Sequence, residues 1–473
     1  MPPLNYDSLL AHVRSAYADC ADFSFREWES GGWRVSLCFL KGMTDPNGLG
    51  ELVLRPLLEK LDAGRFDGNF FSTLRAGAIR PVPDARAAAE SLLRGEVLLS
   101  AVKTLPAGNE KAVFCLVGLQ TEHSRDISEP NSDVTIRGPR IGFVENIETN
   151  MTLLRQFLRT GDLKFIALEA GRISHTRVVL AYLDSRADKE LVSRLSSRIC
   201  GLDAEAIVDS ANLEMLLLGK RSPLLPLFGS TEKADKAASK LLAGRIAILV
   251  DGSPFVLTMP YVFAESIQSA EDYLHTPYYA TAIRLVRFLS VFLSLFLPAL
   301  LVACGKIAPD ALPDGLRKQL LDIRNDLPTT LFLECLTSLL VFELIREVGV
   351  RMPRTVGDAV GIVASIILGD AAVEAGLASP IVILSVALSA VCAFIVPSYM
   401  YATVLLRFLF LFAAELYGFA GLFLGLAALL TATARLESWG APYLSPLSPW
   451  HARGLEDFLL AIPRKTLGRR ERL

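Results

Sequence analysis

Apolar residues follow two regimes along this chain. Up to about Tyr273 they come in short runs of strand or helix period with charges between them. From Phe288 to Ala434 charge is sparse and the apolar runs lengthen. In the first half, residues 34–41 (RVSLCFLK) and 177–184 (RVVLAYLD) are short β-rich runs, and each leads into a helical pattern, residues 49–61 and 189–200. A second block also recurs at nearly the same offset: Leu92-Leu93-Arg94-Gly95 before EVLLSAV, and Leu241-Leu242-Ala243-Gly244 before RIAILVDG. A further apolar run closes each copy, AVFCLVGL in the first and PFVLTMP in the second. The pattern predicts one small α/β unit present twice, with Val35 to Leu40 and Val178 to Leu183 as equivalent strands. Those runs are apolar almost throughout, as strands covered on both faces are.

The second half predicts helices. Its apolar runs are 288–304, 331–345, 359–368, 381–396, 401–419 and 421–434. The stretch from Phe342 to Pro397 organises them. Neither 359–368 nor 381–396 reaches the roughly 20 residues of a full span, and Gly369, Gly376 and Pro380 interrupt them. Broken or re-entrant helices, or a hairpin, are expected there, and such backbone survives at membrane depth only where protein buries it or water reaches it. Asp370 and Glu374 lie four apart, on one face of any helix they share. Carboxylates in such a place are pore or gating candidates, with Glu334 and Glu343 on the preceding run as alternatives. The plain alternative puts the acids at the headgroup level, where they only end the hairpin. Gly361, Gly369 and Ala372 belong to a small-residue face suited to close helix packing. Glu343 with Arg346, and Glu347 with Arg351, stand at helical spacings where opposite charges attract.

The expected layout is an α/β soluble region of two similar subdomains followed by an all-α polytopic membrane domain. It divides into an N-terminal helical extension (1–30), subdomain 1 (31–123), a charged connector and helix (124–165) and subdomain 2 (166–273). A transmembrane domain (274–440) of about six segments, some short or re-entrant, and a basic tail (441–473) complete it. In the connector, Arg137, Arg140 and Glu145 are candidates for an ion-pair network, or simply for a solvated link.

Composition narrows the function classes. Hydrophobic residues make up 52% and charged residues 21% of the chain, a balance that leans toward a membrane protein. A net charge of −2 without a basic, aromatic-laced patch argues against nucleic acid as a partner. The seven cysteines are scattered with no CxxC pair, which suits reduced thiols better than disulfides or zinc. The histidines are isolated, and neither GxSxG nor a phosphate loop occurs, so neither an enzyme, a metal site nor a cofactor is expected. The N-terminus lacks the basic start and apolar core of a signal peptide. Basic residues around Arg346–Arg354 and in the tail place both, with the N-terminal half, in the cytosol, and the loop 305–326 on the other side.

Several motifs, read together, resemble the A-subunit family of bacterial spore germinant receptors, the GerA-type proteins. They are Arg137-Gly138-Pro139-Arg140, Gly142-Phe143-Val144-Glu145-Asn146, Val250-Asp251-Gly252-Ser253-Pro254-Phe255 and Glu271-Asp272-Tyr273. In the second half they are Phe342 to Glu347, Arg351-Met352-Pro353, Ala371 to Ala375 and Gly440 to Pro446. The resemblance covers nearly the whole chain and implies a multi-pass protein of the bacterial cell or spore inner membrane. It implies a homo-oligomeric, nutrient-gated cation channel in membrane lipid, passing monovalent cations and assembled with a transporter-like B subunit and a lipoprotein C subunit. The related stage V sporulation protein AF, an accessory channel, belongs to the same family. A secondary transporter and a non-conducting scaffold are the other function classes. The segment 230–235 departs from the family by lacking an arginine-proline after Glu232, and Asp358 and Asp370 stand where an amide is commoner.

Overall fold

The structure, a computed structural model, describes residues 5–104, 110–121, 138–219, 223–269, 271–272, 275–307, 329–351, 369–449 and 458. Two compact units divide the chain: residues up to Ser222 with Phe228–Pro260, and Pro223–Leu227 with Tyr261 onward.

In the first unit, α1 (Tyr6–Ala16) precedes β1 (Phe23–Ser30) and β2 (Trp33–Leu40). A helical stretch ending in α2 (Arg55–Asp62) follows, then β3 (Ile79–Pro81), α3 (Ala85–Leu92), β4 (Glu96–Thr104) and β5 (Glu110–Gly118). The series recurs as α4 (Ile147–Phe157), β6 (Leu163–Ala170), β7 (Thr176–Leu183), α5 (Lys189–Cys200), α6 (Ser210–Leu218), β8 (Gly229–Thr231), α7 (Ala234–Leu242), β9 (Ile246–Val250) and β10 (Val256–Met259). Short polar side chains start five of these helices by accepting from free backbone N–H groups: Asn5, Asp84, Asn146, Asp188 and Asp209.

The strands form two five-stranded sheets of the same order, β1-β2-β4-β5-β3 and β6-β7-β9-β10-β8. Residues 35–40 and 178–183 therefore occupy the same place in each. Every strand pairing within these two sheets is antiparallel, so the mixture of helices and strands is as read from the sequence, but parallel βαβ crossovers are not its basis. The apolar strands are explained by cover on both faces. Val35 and Leu37 of β2 join a core with Val53, Leu57 and Phe70. Cys38 and Leu40 point the other way, into a core with Leu9 and Val13 of α1 and Ala88 and Leu92 of α3. In the second copy Val179 and Ala181 pack with Met151 and Leu154 of α4 and Ala237 and Leu241 of α7. Six of the seven cysteines are buried, and burial pushes the Cys38 thiol up to about 12, which leaves it inert.

A glycine closes the same helix in each copy. Gly95 (φ +79°) and Gly244 (φ +83°) adopt the left-handed backbone after α3 and α7. A Cβ would stand 2.5 Å from the Met43 carbonyl oxygen at the first and 2.9 Å from that of Arg186 at the second. Alanine at either position is expected to cost about 1–3 kcal/mol in denaturant unfolding. Gly64→Ala, where φ is +65° but nothing lies within 4 Å, should cost less. Equal losses at all three would leave backbone conformation, and not the contact, as the cause.

A buried ion pair ties the copies together. Arg155 of α4 reaches Asp22, before β1, with Nε and Nη2 each 3.0 Å from a carboxylate oxygen. Its Nη1 donates to the carbonyls of Thr160 and Leu163, both at 3.0 Å, and its guanidinium lies over the Phe165 ring.

The second unit is helical: α8 (Pro277–Ile307), α9 (Leu331–Arg351), α10 (Pro380–Ile395), α11 (Met400–Tyr417) and α12 (Phe419–Ala434), followed by the short pair β11 (Glu437–Ser438) and β12 (Ala441–Pro442). Phe296, Ala299 and Ala303 of α8 meet Cys335 and Leu339 of α9, Val382 and Val386 of α10, and Phe410 and Ala414 of α11 in one core. Among the described residues, the helices Pro277–Lys306 and Pro397–Tyr417 are long and apolar enough to cross a membrane. Pro380–Ile395 and Phe419–Ala434 are apolar but shorter, against an expectation of about six segments. Residues 308–328, 352–368 and 459–473 lie outside the described residues, as do Arg137 and Gly361.

Candidate functional site

The polar groups of the helical unit start from a proline. Pro298 sits inside α8 and has no N–H, so the carbonyl four residues earlier, that of Ser294, loses its helical partner. Two side chains from other helices take its place. Arg407 Nε of α11 donates to the Ser294 oxygen at 3.0 Å, and Ser389 Oγ of α10 donates to the same oxygen at 2.9 Å. Arg407 is 2% exposed, and its Nη1 stands 3.7 Å from Oε1 of Glu343 on α9. Glu343 Oε2 is also 2.6 Å from Nη2 of Arg346, one turn along its own helix. One cluster thus draws residues from α8, α9, α10 and α11.

Glu334, on the same helix as Glu343, is 4% exposed and accepts from the backbone N–H of Ser379 at 2.9 Å. Ser379 precedes Pro380, the first residue of α10, so the carboxylate lies at the positive end of that helix. The preceding turn is closed by Gly376 (φ +62°): its N–H meets the Val373 carbonyl at 3.0 Å, and that of Leu377 meets Ala372 at 2.9 Å. Those two bonds are the Schellman ending of a helix. Asp370 and Glu374 lie within the helical residues 369–374 just before this turn, and both are exposed.

The sequence-named acids therefore separate into two classes. Glu334 and Glu343 are turned inward onto partners in the chain, while Asp370 and Glu374 face outward. Glu347 and Arg351 are 2.7 Å apart on the exposed side of α9. Gly369 and Ala372 are half-buried, and a Cβ on Gly369 meets nothing within 4 Å. In the first unit Arg140 and Glu145 are both exposed, and the Glu145 carbonyl accepts from Gly252 N at 2.9 Å. The Asp251-Gly252 turn is thereby fastened to the start of α4, where Asp251 Oδ1 accepts from Ile147 N at 3.3 Å.

Two further groups join the site. Asp272 is buried and holds both Arg284 (3.0 Å) and Arg287 (2.7 Å) on the first turns of α8. Tyr443, fully buried, closes a chain of hydroxyls: Ser266 donates to Tyr399 Oη at 2.8 Å, and Tyr399 and Tyr443 are 3.0 Å apart. Arg407 lies inside the apolar run 401–419, where the sequence by itself gives it no role. A proline in the middle of α8 is the available signal, since it frees a carbonyl that needs a donor; which donor comes is settled only in three dimensions. Among the described residues no group of His, Cys, Asp and Glu is placed to hold a metal ion.

Comparison with known proteins places these features in a family. The GerA family, described as Bacillus/Clostridium GerA spore germination protein, matches residues 11–473. Spore germination protein KA of Bacillus subtilis (strain 168) is 32% identical over 462 residues, covering 96% of this chain and 84% of that protein. Spore germination protein A1 of the same organism is 33% identical over 431 residues, 90% of this chain and 87% of that protein. The uncharacterized membrane protein YfkQ, also of Bacillus subtilis, is 32% identical over 95% of this chain and 88% of its own length. Among solved structures, the N-terminal domain of the A subunit of the Bacillus megaterium spore germinant receptor GerK3 matches 55% of this chain and 95% of that chain, at 23% identity and a TM-score of 0.40.

Proposed function

Because this chain belongs to the GerA family of spore germination proteins, we propose that it is the A subunit of a nutrient receptor and forms an oligomeric cation channel in the spore inner membrane. In this reading the N-terminal unit and the tail lie in the cytosol, the helices α8 and α11 cross the lipid, and a B subunit and a lipoprotein C subunit complete the receptor. Nutrient binding on a partner opens the channel, and monovalent cations leave at the start of germination. The observation that carries the reading is the division of the acids. Glu334 and Glu343 face groups inside the chain, while Asp370 and Glu374 are exposed beside the turn into α10, as the pair placed to face an ion path. Repeated around a ring of subunits, such carboxylates lower the barrier for a cation. Gly369, open within the chain, provides the close approach between neighbouring subunits.

Cation flux from liposomes containing the purified chain tests this. Asp370→Asn and Glu374→Gln are each expected to reduce flux by about tenfold, the lower end of what focused surface charge achieves, with the detergent-solubilised oligomer mass unchanged. Gly369→Leu is expected to reduce that mass instead. Normal flux in both acid variants removes the two residues from the path. No flux from the wild type favours a scaffold, and saturable counterflow favours a transporter.

A further inference from the structure

Arg407 carries more donor capacity than the described residues around it use. Its Nε is committed to the carbonyl that Pro298 leaves free, yet its buried Nη1 has no hydrogen-bond partner among the described residues. Among the described residues, the acid nearest to that nitrogen is Glu343, at 3.7 Å, beyond the 2.7–3.2 Å of a hydrogen bond. Glu343 is closer to Arg346, at 2.6 Å, but its Oε2 meets no donor in hydrogen-bonding alignment there. Among the described residues, one carboxylate thus stands between two guanidinium groups, paired in charge with both and hydrogen-bonded in good alignment to neither. A buried donor left unmade raises the free energy of the state that contains it, and a short move of the Glu343 carboxylate toward Arg407 would supply the acceptor.

We infer that Glu343 is a two-position latch, held by Arg346 in the resting receptor and taken over by Arg407 when the channel opens. This rests on the channel reading above. Arg346 shares α9 with Glu343, so the resting contact is internal to one helix. Arg407 is on α11 and grips α8 through Ser294, so the second contact binds three helices together. Moving the carboxylate a short way thereby changes which helices act as one body. Such a discrete pair of arrangements is what carries coupling between distant sites. Arg407 acts here as a positioning residue, and Pro298 supplies the acceptor that orients it.

The latch makes a prediction of sign. In spores carrying the whole receptor with its partner subunits, Arg346→Gln frees Glu343 for Arg407. Ion release without nutrient is then expected, with half-maximal response at about fivefold lower nutrient or less. Arg407→Gln removes the second position, and the same midpoint is expected about fivefold or more higher. Arg407→Lys keeps the charge but cannot hold two acceptors in a fixed fork, and should fall between. Shifts in the same direction for the two glutamine variants, as a merely structural role produces, overturn the latch. A second readout does not depend on conduction. Double-mutant cycles on thermal unfolding in detergent, pairing Glu343→Gln with each arginine variant, should both depart from additivity by more than ~2 °C. Additive midpoints for Glu343 and Arg407 overturn the latch whether or not the chain conducts. Absence of flux from wild-type liposomes overturns the channel reading, and the cycles still decide the pairing.

Discussion

Replacing Asp22 with alanine is expected to lower the stability of the N-terminal unit by about 3–5 kcal/mol, the usual penalty for removing one partner of a buried ion pair. Arg155 is fully buried, Asp22 nearly so, and the two meet through a pair of 3.0 Å bonds. With the carboxylate gone, Arg155 keeps its two backbone acceptors and the Phe165 ring but loses its counter-ion in a place water does not reach. The loss falls on the joint between the copies, since Ala21 N also donates to the Phe165 carbonyl at 2.9 Å. Urea unfolding of the purified protein, followed by tryptophan fluorescence, measures the effect. Glu29→Ala is the control: its pair with Arg34 is solvent-exposed, so the loss should be within about 1 kcal/mol. A loss for Asp22→Ala no larger than the control would mean that the joint does not depend on this pair.

The second large effect is expected at Gly421, near the start of α12. A Cβ there would stand 2.1 Å from the Ala413 carbonyl oxygen and 2.7 Å from its carbon, both backbone atoms of α11 that no side-chain rotation can move. Gly425, one turn on, would press 2.8 Å from the Phe410 ring. The connecting Gly418 (φ +59°, ψ −134°) adopts a conformation open essentially to glycine, so the hairpin cannot yield by rotating about its turn. Gly421→Val is therefore expected to force α11 and α12 apart and to abolish recovery of a folded oligomer from detergent. Gly349→Val, at a position where nothing lies within 4 Å, should be recovered at near wild-type yield. Equal yields of the two would show that α11 and α12 do not pack through this glycine.

Much of the fold is legible in the sequence because it depends on local chemistry. Two strand runs and two Leu-Leu-X-Gly endings recur, and each recurrence corresponds to the same strand or the same left-handed glycine in the structure. Their duplication is visible because burial on both faces demands nearly unbroken apolar strands, a constraint a single residue window can carry. Antiparallel pairing is not visible in that way. It depends on how the chain returns after each helix, and runs covered on both faces are equally compatible with a parallel sheet.

The site divides along the same line. The identities of Glu334, Glu343, Asp370 and Glu374, and their spacing on helices, follow from the sequence alone, as does the Gly376–Pro380 break between helical segments. Their separation into inward and outward acids does not, because it depends on which helix end or guanidinium comes within 3 or 4 Å. Glu334 meets Ser379 across 45 residues, and Arg407 meets the Ser294 carbonyl across 113. Hydrogen bonds and ion contacts act only over such short distances, so no local pattern records them. By itself the sequence determined the family, the duplicated strands and the apolar helices, all of which rest on period and residue type. Tertiary structure alone decided that Pro298 is answered by Arg407, and that Glu343 stands between two arginines.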